Sequence, residues 1–103
     1  MSAIIITKDN FEEEVLKATQ PVLVDFWATW CMPCQSMLPI VEELAADRPD
    51  VKICKVNVDE QMELARKFKV MSIPTFLAFK NGQVVAHEVG TQEKAALERM
   101  LDK

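Results

Sequence analysis

Residues 22–27 (Val-Leu-Val-Asp-Phe-Trp) are apolar on both alternating sets except at Asp25, the pattern of a strand covered on both faces. Residues 51–58 form a second such run, rich in β-branched side chains, with Val51, Ile53, Cys54, Val56 and Val58 reading as buried. A shorter apolar run covers 3–6. Residues 75–79 and 83–89 flank Lys80-Asn81-Gly82, a turn signal that predicts an antiparallel hairpin. Between these strands the period changes. Asp9 followed by Glu12 resembles a capping box, and Phe11, Val15, Leu16 and Ala18 then give a helical stripe to about residue 18. A helix is predicted over 34–47 with Pro39 inside it; proline removes a donor and crowds the preceding turn, so a kink is expected there. Residues 61–68 read as a short helix burying Leu64, Ala65 and Phe68. The last helix starts near 91 and buries Ala95, Leu97, Met100 and Leu101.

The order is βαβαβαββα. Strands alternating with helices imply a parallel portion of sheet with right-handed crossovers, and the hairpin adds an antiparallel portion. The expected fold class is α/β, a mixed five-stranded central sheet flanked by four helices. The 103 residues point to one domain spanning 1–103, which buries roughly two-thirds of its surface on folding. There is no repeat, low-complexity segment or linker.

The formal net charge of -4 argues against nucleic acid or an anionic membrane as the main partner. No segment approaches the ~20 apolar residues that span a bilayer. The run at 3–6 has no basic residue before it and falls short of a signal peptide's apolar region. A reducing cytoplasmic setting is expected, where a cysteine pair is more often catalytic or metal-binding than structural. Processing from a longer precursor is also compatible with the sequence.

Trp30-Cys31-Met32-Pro33-Cys34 sits where the strand at 22–27 hands the chain to a helix. There the first backbone N–H groups point outward unpaired and stabilise a thiolate. Residues three apart on a helix are neighbours, so Cys31 and Cys34 are within reach of a disulfide after a small local adjustment. The loop so closed is tiny. Its chain-entropy contribution is only roughly 2 kcal/mol, which suits a reversible bond better than a staple. Cys31, nearer the helix end, is the better nucleophile, and Cys34 lies one turn inside. Two other readings stand beside this one. The pair is either two small buried side chains, or half of a metal site whose remaining ligands are only Cys54 and His87, which are not closely spaced.

The stretch from Phe26 to Cys34 resembles the active-site signature of the thioredoxin family. The resemblance continues through Lys55-Val56-Asn57-Val58-Asp59, Ser72-Ile73-Pro74-Thr75, Phe79-Lys80-Asn81-Gly82 and Val89-Gly90, and it covers essentially the whole chain. The family is itself a standard illustration of Cys-X-X-Cys chemistry, so the resemblance brings the mechanism with it. It implies a reductase of protein disulfides working through Cys31 and Cys34, with no cofactor or metal, a thioredoxin reductase as electron donor, and a monomeric protein. Asp25 matches the family's buried aspartate, placed to take the proton of Cys34; on pattern alone a solvent-facing strand residue is the alternative. Lys55 matches the lysine near that carboxylate. Pro74 matches a cis proline lying against the cysteines, whereas X–Pro bonds in general favour trans. Trp30, Met32, Pro33, Val58, Ile73, Pro74, Val89 and Gly90 make up the implied substrate-docking lip, with core packing the alternative for Val58 and Val89. Trp27 reads as packing support, and Cys54 and His87 carry no role.

Three positions depart from the family pattern. Met32 and Ser72 stand where glycine is usual, and Gln35 where lysine is frequent. Met32 precedes a proline and is expected to take extended angles rather than a positive φ. Met32 and Met71 together are expected to add soft, adaptable apolar surface beside Cys31. Other readings of the chain are an oxidase or isomerase with the net direction reversed, a non-catalytic interaction module, and a glutathione-dependent glutaredoxin.

Overall fold

The computed structural model of the chain describes residues 2–103. Strand β1 (Ile4–Ile5) leads to a five-residue π-helical turn (Glu12–Leu16), then β2 (Val22–Trp27) and α1 (Met32–Asp47). Strand β3 (Lys52–Asn57), α2 (Met62–Lys67), the hairpin of β4 (Thr75–Lys80) and β5 (Gln83–Val89), and α3 (Lys94–Leu101) complete the chain. The five strands form one sheet in the order β1-β3-β2-β4-β5. Pairing is parallel from β1 through β3 to β2 and antiparallel from β2 through β4 to β5, the mixed sheet that the pattern predicts.

Strand alternation sorts the core into two layers. Leu23, Ile53, Phe76 and Ala78 point to the face covered by α1 and α3, where Met37, Val41, Leu44, Leu97 and Met100 meet them. Val22, Val24, Phe26, Cys54 and Val56 point to the opposite face, against Phe11 and Val15 of the N-terminal segment and Leu64 of α2. β2 is central and buried on both sides, so its sequence reads as nearly continuous apolar.

Several local details differ from expectation. The Asp9–Glu12 capping box does not form; instead the Thr7 N–H donates to Asn10 Oδ1 at 2.7 Å and the Asp9 N–H to Thr7 Oγ1 at 3.2 Å. The following turn closes with the Lys17 N–H on the Glu12 carbonyl, five residues back, so it is π rather than α. Ala95 is exposed: α3 starts at Lys94 and its buried stripe is Leu97, Met100 and Leu101, from which position 95 lies about 200° around the axis. Ala65 and Phe68 are half-buried, with only Leu64 of that set fully enclosed. Pro39 falls inside α1, as the sequence predicts, and does not end it.

The hairpin turn depends on two left-handed residues, Asn81 at φ 54° and Gly82 at φ 79°, the signs of a type I′ turn. A Cβ at Gly82 would also stand 3.0 Å from the Leu16 carbonyl oxygen, backbone that has little room to yield. Gly82→Ala is therefore expected to lower stability by about 1–2 kcal/mol. The check is a fall in the urea midpoint at unchanged slope; an unmoved midpoint contradicts it.

Candidate active site

β2 ends at Trp27, and the chain turns through Ala28, with the Cys31 N–H donating to the Ala28 carbonyl at 3.3 Å. Cys31 then holds extended angles (φ −89°, ψ 108°) as the residue that caps α1. Its Sγ accepts the Cys34 N–H at 3.2 Å, and its carbonyl accepts the Gln35 N–H at 3.0 Å. The sulfur thus occupies the place of a serine or aspartate oxygen in an ordinary helix cap. An anion there meets a donor and the positive end of a four-turn helix. Met32 and Pro33 form the first helical positions, where the missing proline N–H is an orphan in any case. Met32 is therefore helical rather than extended, and the capping geometry prevails over the pre-proline preference.

Cys31 and Cys34 are disulfide-bonded with their Cα atoms 5.2 Å apart, inside the ordinary range. Cys31 is 5% exposed and Cys34 fully enclosed. With Ala28 they make a small buried cluster on which Trp27, Val58 and Ile73 pack. The Ile73–Pro74 peptide is cis, and the Ile73 carbonyl oxygen lies 3.8 Å from Cys31 Sγ. Pro74 is buried, and its carbonyl accepts the Gly90 N–H at 2.8 Å, while Val89 pairs with Thr75 at the end of the hairpin. The start of β4 and the end of β5 therefore bring residues 73–74 and 89–90 together at the sulfur end of the sheet.

Around the sulfurs the surface is open and apolar. Trp30 is 67% exposed and Met32 77%, and Pro33 and Val89 are also exposed; Met71, 92% exposed, lines a groove with Val58, Asp59 and Met62. Trp30 is held in place by its indole N–H, which donates to Asp59 Oδ2 at 2.8 Å. Asp59 comes from the turn after β3, whose geometry is set by Asn57 Oδ1 accepting its N–H at 2.9 Å. Nothing in the pattern of a lone aspartate after a strand marks it as this anchor.

Asp25 sits on the α1-facing side of the sheet, two residues before Trp27 on the same face of β2, in register with Lys55 on β3 and Phe76 on β4. It has no exposed surface, and neither carboxylate oxygen has a hydrogen-bond partner. Burial pushes its pKa up to about 7, with the Lys55 charge pulling the other way. The solvent-facing reading of Asp25 is therefore wrong. Lys55 does not bond to Asp25: its ammonium pairs with Glu42 Oε2 on α1 at 3.4 Å and lies 5.5 Å from the Trp27 ring centre. Cys54 is fully buried in β3 and His87 exposed on β5, and no cluster of three or more His, Cys, Asp or Glu is placed to hold a metal among the described residues.

The thioredoxin family model matches residues 2–103. The chain belongs to the thioredoxin family. It is 48% identical over 101 residues to a thioredoxin of Mycobacterium tuberculosis, covering 97% of this chain and 87% of that protein. It is 45% identical over 98 residues to a thioredoxin of Pseudomonas aeruginosa, covering 94% and 91%. A bifunctional thioredoxin reductase/thioredoxin of Mycobacterium leprae is 48% identical over 97 residues, 93% of this chain but 21% of that longer protein. With its disulfide-bonded Cys31–Cys34 pair, this thioredoxin-family protein is a thiol–disulfide oxidoreductase that reduces protein disulfides.

Proposed function

We propose that Cys31 is the attacking nucleophile, Cys34 the resolving thiol and Asp25 its proton acceptor, in a cycle recharged by a thioredoxin reductase. In the reduced protein the Cys31 thiolate attacks one sulfur of a substrate disulfide in line. A Cys31–substrate bond forms, and the other substrate sulfur leaves as a thiolate that takes a proton from solvent. The Asp25 carboxylate then accepts the proton of Cys34, and Cys34 Sγ attacks Cys31 Sγ. The intramolecular disulfide forms and the second substrate sulfur departs as a thiolate that takes up a proton from solvent, so two electrons have passed to the substrate. Lys55 tunes Asp25 through its charge. The observation that carries this reading is the cap: Cys31 Sγ accepts the Cys34 N–H at 3.2 Å at the end of α1.

Substrate docking falls to Trp30, Met32, Pro33, Ile73, Pro74, Val89 and Gly90. Ile73 adds a backbone edge on which an extended segment can pair beside the sulfur. The reductase partner is supported by the Mycobacterium leprae relative, whose name joins a thioredoxin reductase to a thioredoxin. We further place the protein in the cytoplasm as a single-domain monomer spanning 1–103. No helix of the described residues is long and apolar enough to cross a membrane.

Dithiol-driven reduction of insulin disulfides tests the activity, and the Cys31–Cys34 reduction potential separates a reductase from an oxidant. Trp30→Ala is expected to raise KM for a protein disulfide about tenfold, the loss typical of an aromatic anchor. Its rate with a small aliphatic disulfide should fall much less. Equal losses on both substrates would remove Trp30 from the docking lip.

A further inference from the structure

We propose that Glu42 is a positioning residue for proton transfer: it engages Lys55 and so keeps that cation from ion-pairing with Asp25. The geometry is specific. Glu42 lies on α1, and its carboxylate is used at both ends: Oε2 is 3.4 Å from Lys55 Nζ, and Oε1 accepts the Ala3 N–H at 3.0 Å. The backbone ahead of β1 thus fixes the carboxylate over the edge of the sheet. Lys55 stands directly across from Asp25 in the β2–β3 register, on the same face. Its side chain is only 18% exposed, so it has little water to turn to. It turns to Glu42 and the Trp27 ring, and Asp25 keeps both oxygens unpartnered.

The charged groups around Asp25 are few. β3 supplies Lys55, α1 supplies Glu42 beside the Cys31–Cys34 pair at its start, and β4 supplies only Phe76 at the paired position. Glu60, from the turn after β3, lines the same cavity of about 230 Å³ as Lys55. A buried carboxyl next to a free ammonium ionises readily and is a weak base; one whose cation is engaged elsewhere keeps its proton higher in the pH range. A proton acceptor is most effective when it titrates near the working pH. Glu42 therefore sets the basicity of Asp25 from a distance without touching the sulfurs. The inference rests on the proposal above that Asp25 takes the proton of Cys34.

The test is Glu42→Gln, which keeps the side-chain length and an oxygen for the Ala3 N–H while removing the charge. Carbon-13 NMR of the Asp25 carboxyl is followed against pH in the oxidised protein, where Cys31 and Cys34 do not titrate. The expected result is an Asp25 midpoint lowered by about one pH unit. In a Lys55→Met background, Glu42→Gln should move the midpoint by less than a third as much. An unmoved midpoint overturns the inference, and so does an equal shift with Lys55 absent, which would mean a direct effect of Glu42's charge. The pH profile of mixed-disulfide resolution in the reduced protein is read separately. A shifted NMR midpoint with an unshifted profile leaves Glu42's control of the Asp25 midpoint through Lys55 standing, but overturns the roles of Asp25 and Glu42 in the proton-transfer step.

Discussion

Cys31→Ser is expected to bring protein-disulfide reduction to background, at least about 10³-fold below the parent, because a hydroxyl at that position is not ionised at neutral pH. Cys34→Ser should behave differently. It retains the capped sulfur, since the donor to Cys31 Sγ is the backbone N–H of residue 34 and not its side chain. The first attack therefore still occurs, and the mixed disulfide with substrate accumulates because nothing inside the protein can resolve it. Intact-mass analysis after incubation with an oxidised protein substrate reads both results. The parent and Cys31→Ser should carry no adduct, and Cys34→Ser should carry one substrate per chain. Adducts on Cys31→Ser through Cys34 would reverse the roles of the two sulfurs.

Asp25→Asn is expected to stabilise the protein at alkaline pH while slowing it. The folded state holds the Asp25 proton up to about pH 7, whereas an unperturbed aspartate releases it near 3.8. Between those values the folded protein binds more protons than the unfolded chain, so the parent loses stability as pH rises and levels off above about pH 7. The loss is about 4 kcal/mol over the full range, and about 2–3 kcal/mol of it falls between pH 5 and pH 8. Asparagine carries no such titration. The advantage of Asp25→Asn over the parent should therefore grow by that amount across the interval, seen in denaturant unfolding at each pH. Parallel stability curves for the two proteins would show that Asp25 ionises in the fold as readily as in the unfolded chain. The amide also cannot take the proton of Cys34, so resolution of the mixed disulfide should slow at least about tenfold near neutral pH.

The parts of the molecule that were legible in the sequence are those fixed by local pattern. The near-continuous apolar run at 22–27, the β-branched run at 51–58 and the Asn-Gly turn between two strands each admit one structure, and the sheet contains all three. The first helical segment is less legible because Thr7 Oγ1 takes the Asp9 N–H that the Glu12 side chain accepts in a capping box, and side-chain reach decides the outcome. Asp25 divided into two readings because a carboxylate in a strand gives no sign of which layer its face meets. Its burial comes from α1 and α3, which together cover the face of the sheet that Asp25 shares with Leu23 and Phe76. The Trp30–Asp59 hydrogen bond and the Lys55–Glu42 pair join residues 29 and 13 positions apart on different elements, and no periodicity encodes such a meeting. The roles proposed for residues 73–74 and 89–90 rest on the resemblance to the family, since in isolation they read as a strand start and a strand end.

The central claim is that one sulfur of three is poised to attack. Cys54 is the built-in control, since burial in β3 pushes its thiol up to about 12. Iodoacetamide labelling of the freshly reduced protein at pH 7, quantified for each cysteine by peptide mass spectrometry, compares all three in one experiment. Cys31 should be alkylated at least about 100-fold faster than Cys34 and Cys54. Comparable rates at Cys31 and either of the others would contradict a nucleophile prepared by the end of α1.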